Sequence, residues 1–135
     1  MATITDIEGI GGAYAAKLRK AGVRTTEALL KMGGTKKGRK DLAEATGFAP
    51  KTILEWVNRA DLFRIKGIGA QYSDLLEAAG VDTVMELAKR KPEALLEAFA
   101  KANSGKKRLV RQLPGLSQVR AWVKKAKSMK RAVEY

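Results

Sequence analysis

Gly9-Ile10-Gly11-Gly12 and Gly67-Ile68-Gly69-Ala70 are the stretches whose residue types and spacing suggest chemistry. Two glycines around one isoleucine can turn a chain tightly between two helices, with both glycines taking positive φ and the isoleucine filling the gap between the helices. Such a turn leaves main-chain N–H groups unpaired at the positive end of a helix dipole, which makes an anion site that needs no side chain. The chemistry on offer is binding rather than bond breaking. Cysteine and histidine are both absent, which removes disulfides, thiol nucleophiles, zinc sites built on those ligands and the usual proton shuttle near neutral pH. The acidic residues form no paired-carboxylate pattern that would hold magnesium, so no metal, no cofactor and no nuclease activity are expected. Asp74 and Asp82 lie near the second glycine pair, but an aspartate close to a helix start reads as a cap or a solvated charge. The chain is not expected to be an enzyme.

Charge supplies the second part of the candidate site. Lys and Arg number 27 against 14 Asp and Glu, a net charge of +13. Such an excess favours a polyanionic partner, nucleic acid first, with an anionic membrane or an acidic protein as less frequent alternatives. From Ala98 to Val133 there is no acidic residue, whereas Lys101, Lys106, Lys107, Arg108, Arg111, Arg120, Lys124, Lys125, Lys127, Lys130 and Arg131 all fall there. Of these, Lys106, Lys107, Arg108, Arg120, Lys124, Lys125 and Lys127 are the candidate phosphate contacts, together with Lys51. Lys36-Lys37-Gly38-Arg39-Lys40 reads equally as a further phosphate patch or as a basic loop.

The elements that must position these groups are helices. After Gly11, the residues Tyr14, Ala15, Leu18 and Ala21 share one helical face, and Gly22 stops the helix; Tyr72, Leu75, Leu76 and Ala79 do the same before Gly80. Thr83-Val-Met-Glu86 is a capping-box pattern, and Pro92 suits the first turn of a helix carrying Leu95, Leu96 and Phe99. Val119, Trp122, Val123, Ala126, Met129 and Val133 form an apolar stripe with lysines opposite. No stretch alternates long enough for a strand. About ten short helices and no sheet are expected, with Tyr14, Tyr72, Trp56 and Trp122 in the core. Ile7 to Leu30 realigns on Ile65 to Ala88 as an internal duplication, and Ile53, Trp56, Val57 and Ala60 match Val119, Trp122, Val123 and Ala126 after extra residues near Asn103-Ser104-Gly105. The expected division is therefore 1–62 and 63–135. Repeats this small are marginal alone and are expected to pack into one compact unit.

Gly9-Ile10-Gly11 followed by Ala15 and Leu18, and Gly67-Ile68-Gly69 followed by Ser73 and Leu76, resemble the helix-hairpin-helix motif of DNA-binding and DNA-repair proteins. Gly47-Phe48-Ala49-Pro50-Lys51-Thr52 resembles it with alanine for the second glycine, and Gly115-Leu116-Ser117 is a weaker fourth candidate. The run from Ile53 to Gly69 is similar to a bacterial family, domain of unknown function 4332, a likeness spanning nearly the whole chain. The resemblance implies an all-α, SAM-like fold of two tandem helix-hairpin-helix repeats. It also implies non-enzymatic, sequence-independent binding of duplex DNA through hairpin amides. Where the motif often has a basic residue two positions after the second glycine, this chain has Ala13 and Gln71, and only the third copy keeps Lys51; the first two would bind phosphate through backbone alone or serve purely as structural joints. A structured RNA or an acidic protein docked on the basic face are the alternatives. No apolar run is long enough to span a bilayer and no leader is evident, so a cytoplasmic protein is expected, on the nucleoid if it binds DNA.

Overall fold

Each helix in the chain can be traced to a start or stop signal in its own sequence. The computed structural model describes residues 2–105 and 108–135, which hold one 3-10 turn, Ile4–Asp6, and eight α-helices: α1 (Gly12–Lys20), α2 (Thr26–Gly33), α3 (Lys36–Thr46), α4 (Pro50–Leu62), α5 (Ala70–Ala78), α6 (Val84–Ala88), α7 (Pro92–Ala102) and α8 (Leu116–Ser128). Among the described residues there is no strand, only an isolated bridge between Thr3 and Thr25. Threonine hydroxyls open three of the helices: Thr25 accepts from the Ala28 amide at 3.0 Å, Thr35 from Gly38 at 3.0 Å and Thr83 from Glu86 at 3.3 Å. The Thr83 cap lacks its reciprocal half, because the Glu86 carboxylate pairs with Arg90 at 3.1 Å. Prolines begin α4 and α7, where a missing N–H loses no helical bond.

α1 and α5 end alike. Val23 donates to the Leu18 carbonyl and Gly22 to Arg19; Val81 donates to Leu76 and Gly80 to Glu77. These bond pairs satisfy carbonyls that the helix end would leave bare, and they bring buried Val23 and Val81 beneath the last turn.

The chain divides into two compact units, Met1–Arg64 with Arg131–Tyr135, and Ile65–Lys130. In the first, α2 packs on α4 and α3 on both, around Ile4, Ile7, Leu18, Leu29, Ile53, Val57 and Val133. The final residues enter this unit as an extended tail. Glu134 donates its amide to Gly34 at 2.7 Å, and the buried Arg39 guanidinium donates to the carbonyls of Gly33 at 2.9 Å and Glu134 at 2.6 Å. In the second unit α8 packs on α6 and α7, and α5 on α7, with Leu75, Leu76, Leu87, Phe99, Val119 and Val123 buried.

The structure corrects several expectations. The apolar stripe of α8 stops at Ser128, where Met129 turns extended, and Val133 is buried in the other unit. A full helix before the first glycine pair is replaced by the single 3-10 turn. Tyr14 is 48% exposed and Tyr72 half-buried, so neither is a core anchor. Each ring lies at the surface edge of a tryptophan that is buried.

Candidate nucleic-acid interface

The two glycine turns have the same backbone. Ile10 donates its amide to the Ile7 carbonyl at 3.2 Å and Ile68 to Ile65 at 3.1 Å, closing β-turns whose third residues, Gly9 and Gly67, have φ of 93° and 96°. A left-handed third residue is what a type II turn requires. Gly11 and Gly69 are different from what their spacing suggests. Their φ values of −84° and −108° are extended backbone, so only the first glycine of each pair supplies a positive φ. The second is the N-cap of the following helix.

That assignment changes which groups can meet an anion. Ile10 and Ile68 are buried and their amides are held within the turn, so neither is free for a ligand. The first intrahelical bonds of α1 and α5 come from Ala15 to Gly11 and from Ser73 to Gly69. The amides of residues 12–14 and 70–72 therefore precede the ladder. Glycine has no side chain to cap them, and no other side chain does so among the described residues. Gly9, Gly11, Gly12, Gly67, Gly69 and Ala70 are all exposed. A substituent on Gly11, Gly12 or Gly69 would meet nothing within 4 Å.

Each turn is backed by a tryptophan. The Trp56 indole nitrogen lies 3.5 Å from where a Cβ on Gly9 would stand, and that of Trp122 lies 3.3 Å from the same point on Gly67. Tyr14 and Tyr72 pack on these indoles with ring centroids 5.9 and 5.2 Å away. Phe48 joins the first group, 5.2 Å from Trp56, with the Lys17 ammonium 5.5 Å from its ring. A cation follows each tryptophan by three positions, Arg59 on α4 and Lys125 on α8, and residues so spaced are neighbours on a helix surface.

The remaining sequence candidates are scattered. Gly47, with φ of 82°, ends α3, and Ala49 opens α4 behind exposed Lys51. Lys51 shares an open groove of about 760 Å³ with Lys36, Lys37, Lys40, Leu54 and Tyr135. Arg39, from the same basic run, is buried and held by carbonyls. Gly115 caps α8 after a loop, so it joins no helix pair. Arg108 is exposed and lines a second groove with Arg111. Lys124, Lys125 and Lys127 are exposed on α8. Arg120 donates to Glu93 at 3.0 Å, an exposed ion pair that cancels part of its charge. The Glu93 carboxyl is held below its ordinary range by a bond from its own backbone and then by Arg120. Lys106 and Lys107 lie outside the described residues.

The apolar stripes place both tryptophans in the core, where they lie, but do not show their second position, against the glycine turns. The signal was present in the late match of Ile53–Ala60 on Val119–Ala126, which carries the indole along with the repeat. Among the described residues no three Asp or Glu side chains are grouped to hold a metal, and no helix is long and apolar enough to cross a membrane.

Residues 8–129 match the domain of unknown function DUF4332. The chain belongs to this family. The match takes in both glycine pairs, Gly9 with Gly11 and Gly67 with Gly69, and both tryptophans, and leaves out Ile7 at the start of the first turn and Tyr135. No curated protein and no solved structure matches the chain.

Proposed function

We propose that this DUF4332 protein is a non-enzymatic, sequence-independent binder of duplex DNA, with each glycine turn acting as the hairpin of a helix-hairpin-helix motif. The observation that carries the reading is the twice-built open helix start. In two units the same turn leads through an extended glycine into a helix whose first amides have neither an intrahelical nor a side-chain partner. Donors so placed suit phosphate oxygens and carry no base information. Exposed Lys51, Lys124, Lys125 and Lys127 would add affinity by displacing counterions from the backbone.

If about six phosphates are neutralised, the binding constant falls by about three decades between about 50 and 200 mM salt. A salt-titrated series on duplex DNA, single-stranded DNA and structured RNA tests this. Steep salt dependence with duplex preferred supports the reading. A flat response, or negligible binding beside capture of an acidic protein, contradicts it.

A second reading has one observation in its favour. Tyr135 is 65% exposed beside the groove lined by Lys36, Lys37, Lys40 and Lys51, and a ring next to lysines can stack an unpaired base. Tighter binding of single strands than duplex, abolished by Tyr135→Ala, would move the function there.

A further inference from the structure

Trp56 and Trp122 are only 5% and 3% exposed, yet their indole N–H groups are not used inside the protein. Among the described residues neither meets an acceptor, and neither nitrogen is sealed from solvent, since no fully buried side-chain polar atom lacks a partner. A buried indole ordinarily finds a hydrogen-bond partner for its one donor. Here the ring is packed away and the donor is left at the surface, in both units, at the same place. The nitrogens lie 3.5 and 3.3 Å from the Cβ points of Gly9 and Gly67. The third residues of α1 and α5, Tyr14 and Tyr72, rest on the same rings.

We infer that each indole N–H is a further donor to the phosphate held at its glycine turn, Trp56 in the first unit and Trp122 in the second. This rests on the hairpin reading above and adds a residue to it. A phosphate oxygen accepts several hydrogen bonds, and a donor fixed by a packed ring requires no ordering when the ligand arrives. Glycine at positions 9 and 67 then has a second purpose. A side chain there would stand against the indole nitrogen. The repeat pairs Gly9 with Trp56 and Gly67 with Trp122, so the donor is duplicated together with the amides it would assist.

The protein has two tryptophans, so a nitrogen-15 spectrum gives two indole N–H signals, assigned with Trp56→Phe and Trp122→Phe. Titration of the full chain with a short DNA duplex at low salt is expected to shift both signals along the same isotherm as the amides of residues 11–14 and 69–72. Each Trp→Phe variant is expected to bind duplex about fivefold more weakly, the worth of one hydrogen bond. Should a variant fail to fold, the wild-type indole shifts alone decide. Stationary indole signals while the turn amides shift, or full duplex affinity in both folded variants, would overturn the inference and leave the hairpin reading standing. If neither amides nor indoles respond to duplex, both fail.

Discussion

A side chain at residue 67 would face two obstacles, a φ of 96° and the Trp122 nitrogen at 3.3 Å. Gly67→Ala should therefore destabilise its unit by about 1–2 kcal/mol, the cost of left-handed backbone at a residue with a Cβ, read as a lowered denaturant midpoint. Gly69→Ala, on extended backbone with open space around it, should leave the midpoint nearly unchanged. Spacing alone could show that both glycines matter but not that they matter for different reasons, one for its φ and the other for the amides it leaves uncapped. The Arg120–Glu93 pair gives a second residue-scale expectation. Glu93→Gln should strengthen duplex binding about twofold by releasing the Arg120 charge, a small effect because the pair is solvent-exposed. Because the Glu93 carboxyl is held low, the pair persists above the ordinary glutamate range and is lost as pH falls through the depressed value. Wild type and Glu93→Gln should then converge in affinity at acid pH, in a binding series measured at several pH values.

At the scale of elements, α8 joins the two parts of the proposed interface. Its buried face carries Trp122 to the Gly67 turn, and Lys125, three residues on, lies beside that tryptophan, while Lys124 and Lys127 fall on the far side of the helix. Lys125→Glu should therefore weaken duplex binding more than Lys127→Glu does, about tenfold against about threefold, with the steeper loss at low salt. The helix itself was legible from its apolar spacing through Ala126. Its end was not, because Met129 and Val133 continue the helical period while the backbone turns extended. Tertiary packing overrode the pattern: the Gly34 carbonyl and the Arg39 guanidinium hold the tail at Glu134. The 3-10 turn at Ile4–Asp6 was hidden for a similar reason, since three residues are too few to show a period.

At the scale of the molecule, the chain leaves its first unit at Arg64 and returns to it at Arg131. Val133, 3% exposed in the first core, then stabilises a unit distant from it in sequence. Val133→Ala should lower that unit's stability by about 2 kcal/mol, followed by Trp56 fluorescence in a Trp122→Phe background. Unchanged Trp56 unfolding would remove the tail from the core. The all-helical class and the repeated glycine turn could be read from the sequence, because both rest on local spacing. The tail's destination and the indoles behind the turns could not, since they depend on which residues meet across the fold.

Phosphate binding is assigned to uncapped amides at two helix starts, so a variant that caps them is the sharpest test. Asp is a strong N-cap, so Gly11→Asp with Gly69→Asp should hold those amides and keep or raise stability by a few tenths to about 1 kcal/mol. Duplex affinity at low salt should fall at least about tenfold per turn. It should fall much less in Ala16→Asp with Ala78→Asp, which places the same charge on exposed positions of α1 and α5. Equal losses in the two double variants, or undiminished binding in the capped one, would rule out the helix-start amides as the phosphate donors.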